Sequence, residues 1–573
     1  MPTVDPTATG PVLHRVIHAA LREHGHLLTA DERAVVRCYL DLSHDAGHLY
    51  ARLLHRVRDV FRHDGLEPGD QACLPLLEQH RLIDPTVPWA QRLELLRVPE
   101  LASTCQALGL PHRGRRAQLL ERLAEQRCEL PVRAGRVRHR GLFMRLQHLF
   151  LRHPRADYRV VVLDALGVMP KPSYTLAPGP SPFASRGLML RFERARAVLD
   201  ACREGLPALP FLPLALRWLE RSPAPGPGQR HFSTRRVAAV LASLAARELE
   251  RQGAHAQAAD LYLRLLADGT MEPGTLAPRA ILAHEAAGQA QQALDLARTW
   301  RPQVDPAAAV AVARTGRRLA RKLGQPWRSP ILRRPPQREL ELPGAPAAGP
   351  RPLYRVRVGG QAMSLAVEQA LVASLPGRRV LHGESAPWTT LFALLLHPLY
   401  FLPVPGMLPV PWLSGPLDIG RPAFAEQRRV PLERMLERIR SGQAPAMVRE
   451  HHARLVGQAL AGAHWQLASA AELEIIAASL GGSALACIIS RLATEGWQAA
   501  RGLPDLVILP GQPVPAPGPC AGSLAPGLML AEVKGPGDQV RDAQAAWFHA
   551  LVEAGAPVEL WRVRRLPPSS PDA

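Results

Sequence analysis

The chain of 573 residues carries 70 basic against 50 acidic side chains, a formal net charge of +20; it is too long for one hydrophobic core and basic enough to favour a polyanionic partner. Leu and Ala dominate its apolar positions and aromatic residues make up only 5%, which points to a mostly helical protein rather than a sheet-rich one. Its 44 glycines and 57 prolines fall short of a disordered composition, and its seven cysteines include no Cys-x-x-Cys pair and no histidine at zinc-finger spacing, which excludes a zinc finger and suits reduced thiols.

The start, Met1-Pro2-Thr3-Val4-Asp5, lacks the basic-then-apolar pattern of a leader, and no apolar run is long enough to span a bilayer. The expectation is a soluble intracellular chain. Residues 1–91 are read as a helical, nucleic-acid-binding region, with apolar positions at helical spacing through Val35, Val36, Tyr39 and Leu40, then Leu49, Leu53, Leu54, Val57 and Phe61. From Tyr50 to Arg62 the same periodicity sets Arg52, Arg56, Arg58 and Arg62 largely opposite the apolar side, as a solvated face or a phosphate contact.

Residues 92–128 hold two short helical patterns, Leu101 and Leu108 before and Leu119, Leu120 and Leu123 after a basic glycine turn containing Arg113, Gly114, Arg115 and Arg116. That layout resembles a SAP-type DNA-binding module, and an ordinary helical hairpin fits it as well. Residues 129–235 form a basic region in which Arg133, Arg136, Arg138, Arg140, Arg145, Arg152, Arg155 and Arg159 interleave with Phe143, Phe150 and Tyr158. The interleaving suits nucleic-acid contact or arginines laid over a helical core. Pro170–Pro182 reads as a loop.

Residues 236–325 repeat a helical pattern, with Ala256–Tyr262 and Gln289–Ala297 separated by 33 to 34 positions, the period of tetratricopeptide-type helix pairs. Such pairs usually form scaffolds, and no chemistry is assigned to them. Residues 326–352, with eight prolines from Pro326 to Pro352, read as a linker to a last domain over 353–565. In that domain Gly502–Leu509 reads as a glycine turn followed by a short apolar strand and Leu528–Val533 as a second strand, joined by a Pro- and Gly-rich loop and followed by a helix over 540–554 and a strand over 557–563. The fold class is therefore multidomain, α-helical in the N-terminal and middle regions, with a C-terminal α/β domain.

Two adjacent strands that each bear a carboxylate can converge on a divalent cation, and hard oxygen ligands suit Mg²⁺ or Mn²⁺. Asp505 and Glu532 supply those carboxylates. Strand alternation puts Glu532 and Lys534 on one face, and the carbonyl of Val533 can face the metal between them. Lys534 is one of only three lysines, with Lys171 and Lys322, among 70 basic residues. Where arginine has replaced lysine nearly everywhere, a retained lysine suggests chemistry that a permanently protonated guanidinium cannot do. The reaction this arrangement suits is metal-dependent phosphodiester hydrolysis.

The run Gly502-Leu503-Pro504-Asp505-Leu506-Val507, then Glu532-Val533-Lys534-Gly535-Pro536-Gly537-Asp538, Gln544, Trp547 and Gly555-Ala556-Pro557-Val558-Glu559, closely resembles the VRR-NUC branch of the PD-(D/E)xK nucleases, with its core over about 455–565. Upstream, His382-Gly383-Glu384, Trp388-Thr389-Thr390-Leu391-Phe392 and Leu394-Leu395-Leu396 resemble the Fanconi-associated nuclease family ahead of its VRR-NUC core. By position Glu384 takes that family's further metal-binding glutamate. The resemblance implies Asp505, Glu532 and Lys534 as catalytic residues and Glu384, Asp505, Glu532 and Val533 as metal ligands.

The same resemblance implies a bacterial-type, structure-specific DNA nuclease of phosphodiesterase I type. It would act as a 5′-flap endonuclease and 5′-to-3′ exonuclease in interstrand cross-link repair, with DNA as partner and a homodimer on DNA left open. Its location would be cytoplasmic and nucleoid-associated, or nuclear in a eukaryote. Arg491, Arg501 and Arg541 would serve around the DNA groove, Arg113, Arg115 and Arg116 in the SAP-like turn, and Arg235 or Arg236 in a 5′-phosphate pocket. A junction resolvase and a non-catalytic repair scaffold are the alternatives.

Overall fold

The computed structural model describes residues 9–154, 159–168, 170–226, 230–329, 331–345, 352–359, 361–375, 377–383, 385–511, 514–515, 523–524 and 526–567. The chain forms two compact units, one of residues 1–170 with 180–191 and one of 171–179 with 192–573.

In the first unit the helices Thr9–His24, His44–Leu54 and Arg140–Phe150 bury one apolar stripe each, and Tyr39, Tyr50 and Phe143 pack edge-on and tilted at their centre. The helix Ala30–Leu40 starts at a reciprocal capping box between Thr29 and Glu32. The basic helix expected up to Arg62 is shorter in the structure. It ends at Leu54, Val57 stands almost fully exposed, and Val60–Arg62 forms a strand paired antiparallel with Ala134–Arg136. Phe61 gains burial by joining that sheet, which local periodicity could not show.

Several arginines of the 129–235 region hold the first unit together. Arg145 pairs with Glu32, Arg140 with Asp59, and the buried Arg152 donates to the Pro180 carbonyl, while Phe143 and Phe150 are core. Of the expected interleaving, Arg155, Tyr158 and the side chain of Arg159 lie outside the described residues. Helices Val98–Ala107 and Arg116–Ala124 close over a small core of Leu93, Leu96, Leu101, Cys105, Leu119 and Leu123.

In the second unit five helices, Thr234–Arg251, His255–Asp268, Pro273–Ala286, Ala290–Trp300 and Pro306–Lys322, pack each against the next. Small residues such as Ala242, Ala245, Ala258, Ala259, Ala280 and Ala293 are buried between them.

The C-terminal sheet has five strands: β1 (Gln337–Pro343), β2 (Val380–His382), β3 (Leu506–Ile508), β4 (Met529–Lys534) and β5 (Val558–Leu566), in the order β1-β5-β4-β3-β2. β5 runs parallel to β1 and β4, whereas β3 runs antiparallel to β4 and β2. One face packs Leu340, Leu506, Ala531, Val533 and Trp561 against Tyr354 and Leu371. The other packs Val507, Leu530 and Leu560 under α1 (Ala386–Tyr400), α2 (Gly482–Thr494) and α3 (Asp542–Glu553). Coverage on both faces explains the nearly unbroken apolar runs of β3 and β4.

The 326–352 linker is corrected here. Gln337–Pro343 inside it is an edge strand of this sheet, with Leu340 and Leu342 buried. Proline is tolerated because Pro335 and Pro336 precede the strand and Pro343 ends it at the sheet edge. The helix expected over 540–554 spans Asp542–Glu553, and the strand expected over 557–563 extends to Leu566.

Among the described residues no single helix is long and apolar enough to cross a membrane; Ala470–Leu480 and Gly482–Thr494 qualify together but meet at 108°. Their apolar residues belong to the core under the sheet. The six described cysteines are unpaired.

Candidate active site

Because β3 and β4 are antiparallel, the residue that precedes β3 meets the end of β4. This brings Asp505 beside Glu532 and Lys534 although the two strands are joined by a long loop. The Val533 N–H donates to Asp505 Oδ2 at 2.9 Å. In a strand the N–H and C=O of one residue point to the same side, so the Val533 carbonyl faces Asp505 as well. Glu532 and Lys534 share the other alternation face, and Lys534 Nζ donates to Glu532 Oε1 at 2.7 Å.

Glu532 is fully buried and Lys534 is 8% exposed. Gln544, in the first turn of α3, donates its Nε2 to the same Oε1, while Oε2 of Glu532 has no partner among the described residues. Burial pushes the Glu532 carboxyl up to about 8, with the Asp505 charge adding to the rise and Lys534 opposing it. Asp505 is raised too, by burial first, against the Val533 N–H and the Lys534 charge. Two desolvated carboxylates, both raised, lie side by side with an oxygen that has no partner among the described residues. That donor set fits a hard divalent cation.

β2 anchors the site from the opposite edge. The Gly383 N–H donates to the Asp505 carbonyl at 2.6 Å, and the Trp388 indole donates to the Gly383 carbonyl at 2.5 Å. A Cβ at Gly383 would lie 2.4 Å from the Pro504 carbonyl oxygen, so only glycine permits this approach. The next residue, Glu384, expected to be a metal ligand, lies outside the described residues. Among the described residues no three or more His, Cys, Asp or Glu side chains gather closely enough to hold a metal.

Two contributors were missed from the sequence. Gln544 was visible as part of the motif without a role; here it both caps the Arg541 N–H and holds Glu532. Its place three residues into a helix, opposite a cap, was the available signal. Glu368, on the far side of the sheet, raises the Asp505 carboxyl by its charge. Nothing local in the sequence marks it.

The arginines separate by what already holds them. Arg491 pairs with Glu495 at 2.6 Å, donates to the Ala546 carbonyl and lies 3.8 Å over the Trp547 ring; it locks α2 to α3. Arg501 and Arg541 are exposed near the site. In the SAP-like turn Arg113 and Arg115 are exposed, whereas Arg116 donates to the Leu96 and Glu94 carbonyls.

Arg235 and Arg236 line a cavity of about 560 Å³ together with Arg230, His231 and Arg421. Arg235 is tied to Asp268 and Thr270. Arg236 has no carboxylate within ion-pair distance among the described residues, and burial with the charges of Arg230 and Arg421 lowers its guanidinium to about 10. The neighbouring Arg421 is lowered by burial and by Arg230. An anion entering this cavity would relieve that like-charge crowding.

Residues 439–565 match the VRR-NUC domain family and residues 92–127 the SAP domain family. The chain is 28% identical to a Fanconi-associated nuclease 1 homolog of Pseudomonas aeruginosa, over 94% of this chain and 93% of that one. It is 25% identical to the homolog of Arabidopsis thaliana over 96% of this chain, and covers 66%, less than two thirds, of that relative's length. The crystal structure of paFAN1 bound to 5′ flap DNA with a gap superposes with a TM-score of 0.75 at 24% identity, covering 99% of this chain and 100% of that one. On these matches and the fold that carries Asp505, Glu532 and Lys534, the chain is similar over nearly its whole length to Fanconi-associated nuclease 1 homologs, with a stretch that matches the SAP domain and a C-terminal stretch that matches the VRR-NUC domain.

Proposed function

We propose that the chain is a metal-dependent DNA nuclease that hydrolyses phosphodiester bonds as a 5′-flap endonuclease and 5′-to-3′ exonuclease, in the repair of interstrand cross-links. The observation that carries the reading is the convergence of Asp505, Glu532 and Lys534 at the meeting of antiparallel β3 and β4. The flap preference is supported by the relative solved on 5′ flap DNA.

Asp505, Glu532 and the Val533 carbonyl, with Glu384, would hold Mg²⁺ or Mn²⁺. When bound, the cation supplies a more acidic water and offsets charge on the phosphodiester. Lys534 has its own part. Its ammonium is held by Glu532 beside the reacting position, so it donates to the phosphate oxygen that gains charge in the transition state. Gln544 keeps Glu532 from rotating, and the Gly383 contact fixes the backbone of Asp505.

The test is cleavage of a labelled 5′-flap duplex by the purified chain, with Mg²⁺ or Mn²⁺ against EDTA and with a four-way junction as comparison substrate. Metal-dependent cutting near the flap base is expected. No cutting with either metal, or a preference for the junction, would overturn the reading.

The cavity around Arg236 is the place this reading gives to a 5′-terminal phosphate. A charge-assisted hydrogen bond contributes about 1.5–3 kcal/mol, roughly ten- to a hundredfold in affinity. Arg236→Ala should therefore weaken the preference for 5′-phosphorylated over 5′-hydroxyl flaps by at least about tenfold, with the rate on the hydroxyl flap nearly unchanged. An unaltered ratio of kcat/KM for the two ends would remove Arg236 from this role.

A further inference from the structure

We propose that a second cavity, on the β5 side of α3, binds one nucleotide of the DNA beside the one that is cut; the proposal rests on the nuclease reading. The cavity, of about 380 Å³, has Arg317, Arg333, Arg334 and Arg562 around its walls and Phe548 and Leu560 in its floor. No acidic residue lines it. Arg333 reaches Glu553 and Arg317 donates to Ser329. Arg334 and Arg562 have no carboxylate within ion-pair distance among the described residues.

The register of the sheet ties this cavity to the candidate active site. Arg562 on β5 is the parallel partner of Lys534 on β4, and Leu560 is the partner of Glu532. Neighbouring strands lie roughly 4.8 Å apart, so the backbone of Arg562 is one strand spacing from that of Lys534, and both side chains leave the same face. α3 links the two places. Gln544 in its first turn holds Glu532, and Phe548, one turn later on the same side of the helix, lines the cavity.

The chemistry of the lining selects among ligands. Guanidinium groups without acidic partners match phosphate oxygens, to which they donate in pairs. A phosphate alone would leave the apolar floor unused. A nucleobase would cover the half-buried Leu332 and Val540 of the lining, and bases stack on guanidinium planes without regard to sequence. The volume lies within the range, roughly 300–1,000 Å³, of pockets that take a single ligand. An acidic peptide could meet the arginines, but the same-face position beside Lys534 favours the strand that enters the cleavage site.

The experiment measures binding without cutting. Fluorescence anisotropy of a labelled 5′-flap DNA is recorded with the full chain in EDTA, across a salt series, for wild type, Arg334→Ala and Arg334→Ala/Arg562→Gln. The double variant should bind about tenfold more weakly, and its slope of log affinity against log salt should shrink by about one to two. Arg334 lies on an exposed segment, so Arg334→Ala alone tests the site free of any effect on folding, and about a threefold loss is expected. Unchanged affinity and slope in both variants would overturn the proposal. So would loss of binding to a poly-glutamate peptide with DNA affinity intact. Metal-dependent cleavage by the wild-type chain, run alongside, tests the nuclease reading separately: if it fails while the arginine dependence of binding persists, the nuclease reading falls and the site stands.

Discussion

Lys534→Arg is expected to cut kcat on a 5′-flap substrate by about 10²–10³-fold while leaving KM within a few-fold of wild type, because the lost interaction is one made with the transition state. Charge is conserved in this substitution, and 67 arginines in a chain with three lysines show that arginine is tolerated across its surface. The position is the constraint. Lys534 is 8% exposed and its Nζ sits 2.7 Å from Glu532, a space fitted to a compact ammonium. A planar guanidinium is larger and stays protonated at any working pH. It would press on Glu532 and Gln544 and could not release a proton to the reaction. Single-turnover rates measured beside melting curves will separate chemistry from folding. A folded Lys534→Arg variant that keeps more than about a tenth of the wild-type rate would remove Lys534 from the mechanism.

Asp505→Asn should remove cleavage by at least about 10³-fold and, in EDTA, make the protein more stable. Asparagine can still accept the Val533 N–H through its amide oxygen, so the local hydrogen bond survives while one of two crowded negative charges is lost. A rise of about 2–4 °C in melting temperature is the expected size. The pH dependence has a definite sign. The carboxyl of Glu532 is raised to about 8, above its unfolded value, so its contribution to stability is full below the ordinary carboxyl range and is lost as pH rises towards 8. Metal-free wild type should therefore weaken over that window. A cation competes with the proton, so metal-induced stabilisation and kcat/KM should both climb with pH and level near 8. Asp505→Asn should flatten the stability slope and lose the metal-induced shift. Unchanged metal stabilisation in this variant would show that the cation binds elsewhere.

The core of the site was legible because its chemistry is local. Glu532 and Lys534 lie two apart on one strand, and alternation alone puts them on the same face. Asp505 is different: its approach to Glu532 depends on β3 running antiparallel to β4, a pairing across a loop that motif order implied without showing. Gln544 was visible but mute until the first turn of α3 placed it against Glu532. The arginines were the least legible. What engages Arg145, Arg235 and Arg491 is Glu32, Asp268 and the Glu495–Trp547 pair, and a charged side chain carries no local mark of a partner that only the fold brings near. The proline-rich stretch misled for a related reason. Glu339-Leu340-Glu341-Leu342 has the alternation of a strand, yet the prolines at both ends looked like a linker because the strand that receives it, β5, lies at the other end of the domain.

That edge strand also bears on where the chain can be divided. β1 comes from the segment between the helical array and the nuclease, and it shields the open side of β5 over seven register pairs from Leu560 to Leu566. A nuclease excised at Leu353 would leave behind part of its own sheet, with unpaired N–H and C=O groups exposed to other chains. The helical array and the nuclease are joined through seven residues that belong by position to one and by hydrogen bonding to the other.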